Sequence, residues 1–213
     1  MTQRNEPTFL YHFTHIDHLP TLVGRGLLSD NGAQASGVLA VEVGNTSIKD
    51  RRRGQSVPVG DGGVVADYVP FYFAPRSPMM YAIANGNVST YSGGTSRLVY
   101  LVTTLEQLCA EGTRPLVTDR NAALKYAEYR EFDPSDLLED GFVDWDVMNA
   151  TYWNDHDDGR ERRMAECLIH ERVSWASVTE IATQNSIVAG EVSRILASAR
   201  SSIPVNVRPN WYF

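Results

Sequence analysis

The order of strand-like and helix-like segments constrains this chain most. "FLYHFT" (9–14), "DYVPFYFAP" (67–75), "RLVYLVTT" (97–104), "RPLVTD" (114–119), "AECLIHERV" (165–173), "VTEIAT" (178–183) and the closing "IPVNVRPNWYF" (203–213) are short and rich in β-branched or aromatic residues, so they read as strands. Helical patterns fall between some of them and not others. "HIDHLPTLVGRG" (15–26) has Thr14 as its expected N-cap and Gly24 or Gly26 as its stop. "SPMMYAIANG" (77–86) has Ser77 as cap, Pro78 in the first turn and Gly86 at its end. "LEQLCAEG" and "SIVAGEVSRILASAR" (186–200) also read as helices, and 121–153 reads as mostly helical with turns at Asp133-Pro134 and Asp140-Gly141. A doubly wound sheet needs regular alternation of strand and helix, which is missing. The expected class is therefore α+β with a mainly antiparallel or mixed sheet. No G-x-G-x-x-G or Walker A sequence occurs, so the usual dinucleotide and P-loop fingerprints are absent.

With 213 residues and no internal repeat, the expectation is one domain over residues 1–213. Residues 29–67 are rich in Gly, Ser, Asn, Asp and Val and read as long loops with at most short elements. Loops that long in a compact domain usually carry function.

The net charge of -7 does not suggest a nucleic-acid binder, because phosphate contacts need Lys and Arg. The positive residues are clustered, however, in "KDRRR" (49–53) and "RERR" (160–163), and a local basic site on an acidic body stays open. Cys109 and Cys167 lie far apart in no metal-type spacing, which argues against a disulfide scaffold or zinc ribbon. No apolar run approaches the ~20 residues of a membrane span, and the N-terminus lacks the apolar core of a signal peptide. A cytoplasmic location without membrane partners is expected.

His12, His15 and His18 are three apart, but no H-e-x-x-H-like cluster accompanies them, so no metal is expected. His12 and Thr14 alternate onto one face of a strand, where they either face a ligand or serve as a core histidine and a cap. "IKDRRRGQ" is either a solvated basic loop or a phosphate clamp, since guanidinium forks match phosphate oxygens. The aromatics of "DYVPFYFAPRSPMMYAI" fill a core or stack a flat ring beside Arg76 and Ser77. Glu166 stands at the mouth of a strand, just after the arginines of "RERR". Its carboxylate either stabilises a developing oxocarbenium ion in a cleft, or pairs on the surface with Arg162 or Arg163.

These segments occur together in a recognisable order. "LYHFTHIDHLPTLVGRGLLS", "SIKDRRR", "GGVVADYVPFYFAPRSPMMYAIANGNV", "RLVYLVT", "VTDRNAA" and "RRMAECLIHERVSW" resemble the DarT family, toxins that ADP-ribosylate DNA and are paired with DarG antitoxins. The resemblance covers roughly residues 9–176, and "DYVPFYFAPRSPM" is its most specific element. It implies an ADP-ribosyltransferase fold, with a split mixed or antiparallel sheet and surrounding helices, and NAD as ADP-ribose donor. It implies Glu166 and Arg51 as catalytic, with Arg52 the alternative within "DRRR". It further implies His12, Thr14, Arg51, Arg52, Tyr72 and Met79 on NAD. Arg160, Arg162, Arg163 and Asn121 are implied on DNA, with 154–165 as the substrate-reading loop. Asn121 stands where family members often carry a His, so a proton shuttle does not carry over. The implied acceptor is thymidine in single-stranded DNA, with nicotinamide released and a DarG-type macrodomain antitoxin as partner. Guanine in DNA, or RNA or protein, are the alternative acceptors. A non-catalytic single-strand-binding module is the alternative of another class.

Overall fold

The computed structural model describes residues 7–133, 138 and 140–213. Strand β1 (Phe9–His15) turns through residues 16–18 into α1 (Leu19–Arg25), β2 (Leu27–Leu28), α2 (Asp30–Ala35) and α3 (Thr46–Gly54). There follow β3 (Tyr68–Tyr72), α4 (Pro78–Ala84), β4 (Leu98–Thr104), α5 (Leu105–Ala110), β5 (Leu116–Thr118) and β6 (Tyr129–Glu131). Two short helices, α6 (Trp145–Asn149) and α7 (Gly159–Arg162), lead into β7 (Glu166–His170) and β8 (Arg172–Val173). The chain closes with β9 (Glu180–Thr183), α8 (Ser186–Ser198) and β10 (Val205–Val207).

The main sheet runs β10-β9-β4-β1-β3-β7-β5-β6. Only β10 and β9 are parallel; the other neighbours are antiparallel. This is the α+β mixed sheet expected from the sequence. Strand β4 explains how the sheet is covered. Val99 and Leu101 join the core beneath α8, with Val188, Val192 and Leu196. Leu98, Tyr100 and Val102 face the other way, onto Met80 and Ile83 of α4 and Tyr212. Alternate residues of one strand thus enter different cores, and an unbroken apolar run is needed to fill both.

The sheet is split at its middle. Strands β1 and β4 pair along the whole of β1, from Phe9 opposite Thr104 to His15 opposite Leu98. Strands β1 and β3 register only at Tyr11 and Tyr72. Pro70 explains part of this, because it has no N–H to offer the ladder. Its carbonyl is used instead by a side chain, as His12 Nδ1 donates to it across the opening at 2.8 Å. The gap between the two half-sheets is where a cavity forms.

Several expectations need correction. Thr14 lies within β1 and does not cap; His15 is the residue at the start of the following turn. Gly26, with φ 77, ends α1 as anticipated. "SIKDRRR" is helical, not a loop: Asn45 Oδ1 accepts from Ser47 N (3.0 Å) and Ile48 N (3.4 Å), and Lys and Arg are good helix formers. Residues 121–153 are mostly not helical; α6 is their one α-helix among the described residues, and a single 3-10 turn (Trp153–Asp155) starts at their end. The local composition favours a helix, but β5 draws Tyr129–Glu131 into the sheet. Asp140 and Gly141 are outside helix, while Pro134 of the other expected turn lies outside the described residues. Glu171, at φ 58, breaks "AECLIHERV" into β7 and β8, and the latter pairs with β2.

Candidate active site

Glu166 is the first residue of β7 and lies opposite Tyr72, the last of β3. Its backbone N–H donates to Thr118 Oγ1 (3.0 Å), and the Thr118 hydroxyl donates to the Arg120 carbonyl (2.7 Å). The end of β5 thereby pins the start of β7. The Glu166 residue is 2% exposed. A carboxylate that deep is tolerated only when paired and hydrogen-bonded. Arg52 Nη1 supplies the pair, at 2.8 Å to Oε1 and 3.0 Å to Oε2, and the Ala122 backbone N–H donates to Oε2 at 3.2 Å. Burial, and then the Glu166 charge, raise the Tyr72 hydroxyl far above its ordinary range and push Tyr129 up to about 12, so both stay protonated.

Helix α3 sorts its three arginines by direction, because successive residues point about 100° apart. Arg52 turns inward to Glu166 and keeps a buried Nη2 with no acceptor. Arg53 pairs with Asp30 (2.5 Å) and Asp50 (2.8 Å). Arg51 is exposed on the cavity rim and makes no hydrogen bond or ion pair among the described residues. Of the two arginines that the resemblance left open, Arg51 and Arg52, it is Arg52 that meets the carboxylate. The surface pairing of Glu166 with Arg162 or Arg163 is not found.

On the β1 side of the split, His12 Nδ1 carries the proton given to Pro70, which leaves Nε2 an acceptor. Burial lowers the His12 pKa, the hydrogen bond to Pro70 opposes it, and the Arg52 charge lowers it further, which favours the neutral ring. His18 Nε2 accepts from Val41 N (3.1 Å), so its Nδ1 donates to Thr14 Oγ1 (2.7 Å). The Thr14 hydroxyl proton is left to donate elsewhere.

One cavity of about 1040 Å³ collects these groups. His12, Thr14, Arg52, Tyr72, Met79 and Glu166 line it, as do Arg51, Asn121 and Arg160. The carboxamide of Asn121 accepts from Ala123 N (2.9 Å) and points its Nδ2 at Met164 Sδ (3.5 Å). Arg162 and Arg163 are not at the cavity. Arg162 lies 3.7 Å from Asp144. Arg163 is 5% exposed, and its guanidinium donates to the carbonyls of Val147, Met148, Ala150 and Pro75. Those first three acceptors are the open C-terminal end of α6, which a cation stabilises. Arg163 is corrected from a DNA contact to a structural cap.

Sequence reasoning missed Thr118, the Ala122 amide and Tyr129, because nothing local marks their approach to Glu166. Arg76, named only as a neighbour of the aromatics, is a left-handed residue (φ 57) that lines the same cavity. Arg51, Arg76 and Arg160 form no ion pair among the described residues, although the protein as a whole is acidic. Unpaired guanidinium groups around a cavity with a buried carboxylate can hold an anionic ligand while the carboxylate meets developing positive charge. No group of three or more His, Cys, Asp or Glu among the described residues is placed to hold a metal ion. No described helix is long and apolar enough to cross a membrane.

The sequence of residues 11–213 matches the family model described as "ssDNA thymidine ADP-ribosyltransferase, DarT". A DNA ADP-ribosyl transferase of Thermus sp. (strain 2.9) is 36% identical over 211 residues, covering 98% of this chain and 97% of the relative. The Thermus sp. 2.9 DarT structure in complex with ADP-ribosylated ssDNA superposes with TM-score 0.87 at 35% identity, covering 97% of each chain. The complex of that protein with NAD+ gives 0.85 at 34% identity, covering 98% of each. A fusion of DNA ADP-ribosyl transferase and DNA ADP-ribosyl glycohydrolase from Thermosipho africanus is 23% identical over 205 residues, 96% of this chain and 49% of the fusion.

Proposed function

Because the chain belongs to the DarT family of single-stranded-DNA thymidine ADP-ribosyltransferases, we propose that it transfers ADP-ribose from NAD to a thymidine base in single-stranded DNA and releases nicotinamide. The observation that carries the reading is the Glu166–Arg52 pair on the cavity wall, with neutral His12 across the split sheet.

The chain's own residues fit NAD. The cavity is at the upper end of the roughly 300–1,000 Å³ usual for ligand sites, as a dinucleotide requires. Arg52 Nη2 is buried without an acceptor, and Arg51 has no carboxylate partner, so they suit the diphosphate. Thr14 offers a hydroxyl proton and His12 a ring nitrogen to ribose or amide groups. NAD supplies the ADP-ribosyl group: its bond to nicotinamide breaks and positive charge builds on the ribose. Glu166 accepts a hydrogen bond from the ribose 2′-hydroxyl and stabilises that charge. Arg52 and the Ala122 amide hold the carboxylate in place, so it need not reorganise during the reaction. Tyr72 lies against the same carboxylate as a protonated, uncharged wall. The base attacks the ribose carbon through its ring nitrogen, which a single strand exposes; the new nitrogen–carbon bond replaces the bond to nicotinamide, and the proton that nitrogen carried passes to solvent. Arg160 and Asn121 lie on the cavity where the 154–165 loop meets the acceptor.

The reading extends to a single catalytic domain over 1–213, working in the cytoplasm, where DNA and NAD meet. It extends also to toxicity held in check by a DarG-type macrodomain partner, which the Thermosipho fusion of transferase and glycohydrolase supports. The test is incubation of the protein with NAD and thymidine-containing single-stranded oligonucleotides, read by intact mass. Gain of one ADP-ribose, absent with Glu166→Gln, is the expected result. Gain on guanine alone reassigns the acceptor. No gain on any DNA with NAD binding intact moves the acceptor to RNA or protein.

A further inference from the structure

A strip of aromatic rings borders the cavity. Tyr152 is 69% exposed and Tyr81 47%, and both line it. Tyr81 meets Trp153 and Phe213 edge to face, with centroids 6.1 and 5.1 Å apart, and Trp153 meets Phe213 at 5.8 Å. The Arg76 guanidinium lies 4.4 Å from the Phe213 ring centre. Behind this strip the backbone is tight. A Cβ on Gly159 would come within 1.9 Å of the Trp153 carbonyl oxygen, so the start of α7 is pressed against the aromatic turn. Arg160, the next residue, lines the same cavity and forms no ion pair among the described residues. An exposed tyrosine packed on Trp153 and Phe213, a second exposed tyrosine next to Trp153 in sequence, and two guanidinium groups without ion pairs on the same cavity lack an explanation in NAD chemistry at the Glu166 wall.

We propose that Tyr81 and Tyr152 form a stacking subsite for the nucleobase next to the acceptor thymidine, with Arg76 and Arg160 taking the phosphates on either side of it. The inference rests on the DNA-modifying reading above and names the part of the strand that this rim recognises. Every base offers a π-face, so rings hold a strand without reading its sequence, while arginines meet its backbone. Continuity with the acceptor site commits the rim to DNA. The rival occupant, a ring of NAD itself, becomes an outcome of the test.

The probe is a single-stranded oligonucleotide of about ten nucleotides with one thymidine, and versions with an abasic site at each neighbouring position. Transfer is followed by mass, with KM measured separately for DNA and for NAD in wild type, Tyr152→Ala, Tyr81→Ala and Arg160→Ala. Each tyrosine variant should raise the DNA KM about tenfold and leave the NAD KM unchanged. One abasic position should weaken wild type by a similar factor and have no further effect on the tyrosine variants. Arg160→Ala should reduce the slope of log affinity against log salt by about 0.7. A raised NAD KM with unchanged DNA KM would assign the rings to NAD and overturn the proposal. So would tyrosine variants indistinguishable from wild type while wild type modifies DNA. Failure of wild type to modify any DNA would instead remove the underlying reading.

Discussion

Two arginine clusters, 51–53 and 160–163, look alike as text and end in opposite roles. Each sends one arginine to solvent at the cavity rim, Arg51 and Arg160, and buries another, Arg52 and Arg163. The buried members differ in what receives them. Arg52 meets a carboxylate on the cavity wall and keeps one nitrogen unmatched. Arg163 meets backbone carbonyls at a helix end and lies away from the cavity. Burial of a charge is therefore no index of function by itself. The partner decides, because a carboxylate beside a cavity can exchange its contacts with a ligand, whereas backbone carbonyls at a helix end only fasten the fold.

The largest expected effect is on the shared partner of the first cluster. Glu166→Gln keeps the shape and the Ala122 contact but removes the charge. Transfer should fall by at least about a hundredfold, more than the accompanying loss of stability from leaving Arg52 without a charged partner explains, as transfer per folded molecule will show. Nicotinamide release at the wild-type rate in this variant would sink the mechanism. Arg52→Ala strands a buried carboxylate, which costs about 3–5 kcal/mol by urea unfolding, and transfer should fall with it. If Arg51→Ala proves the more damaging in a side-by-side assay, the assignment within the cluster is inverted.

For the second cluster, Arg163→Met should lose about 3 kcal/mol of stability while transfer per folded molecule stays near wild type. A specific loss of DNA affinity without destabilisation would return Arg163 to the DNA surface. Smaller again is a pH effect on the β1 side of the site. His12, His15 and His18 all have pKa values held below the ordinary 6.5, chiefly by burial. Below that pH the unfolded chain takes up protons that the folded protein refuses. Stability is full above about pH 6.5 and declines as pH drops beneath it, until the folded histidines themselves protonate. Melting temperatures measured down to about pH 5 should show this slope, and His18→Gln should flatten it. The smallest change is expected for Arg162→Ala, within about 0.5 kcal/mol, since its pair with Asp144 is partly exposed and 3.7 Å long.

Some of this was legible in the chain alone. Strand β4 announces itself by an unbroken apolar run, and α4 by Ser77, whose Oγ accepts from Met80 N at 3.2 Å, followed by Pro78. Glu166 stood out as a carboxylate at the mouth of a strand. Those signals are local, and local chemistry settles them. The helix over "SIKDRRR" was hidden in a region of loop-like composition, and the helix expected across 121–153 yielded to β5, which claims Tyr129–Glu131 for the sheet. In both places a neighbouring segment or a single cap outweighed composition.

By itself the sequence determined the α+β class, the family resemblance and the placing of Glu166 at the mouth of a strand. It did so because the succession of segments and the motif order are written along the chain. Only the tertiary structure decided that Arg52 faces Glu166, that Arg163 caps α6, and that Thr118 and the Ala122 amide hold the site together. Arg52 and Glu166 are 114 residues apart. Which of three consecutive arginines reaches that carboxylate depends on the rotation of α3 against the sheet. That phase is set by packing between distant segments, and no local spacing encodes it.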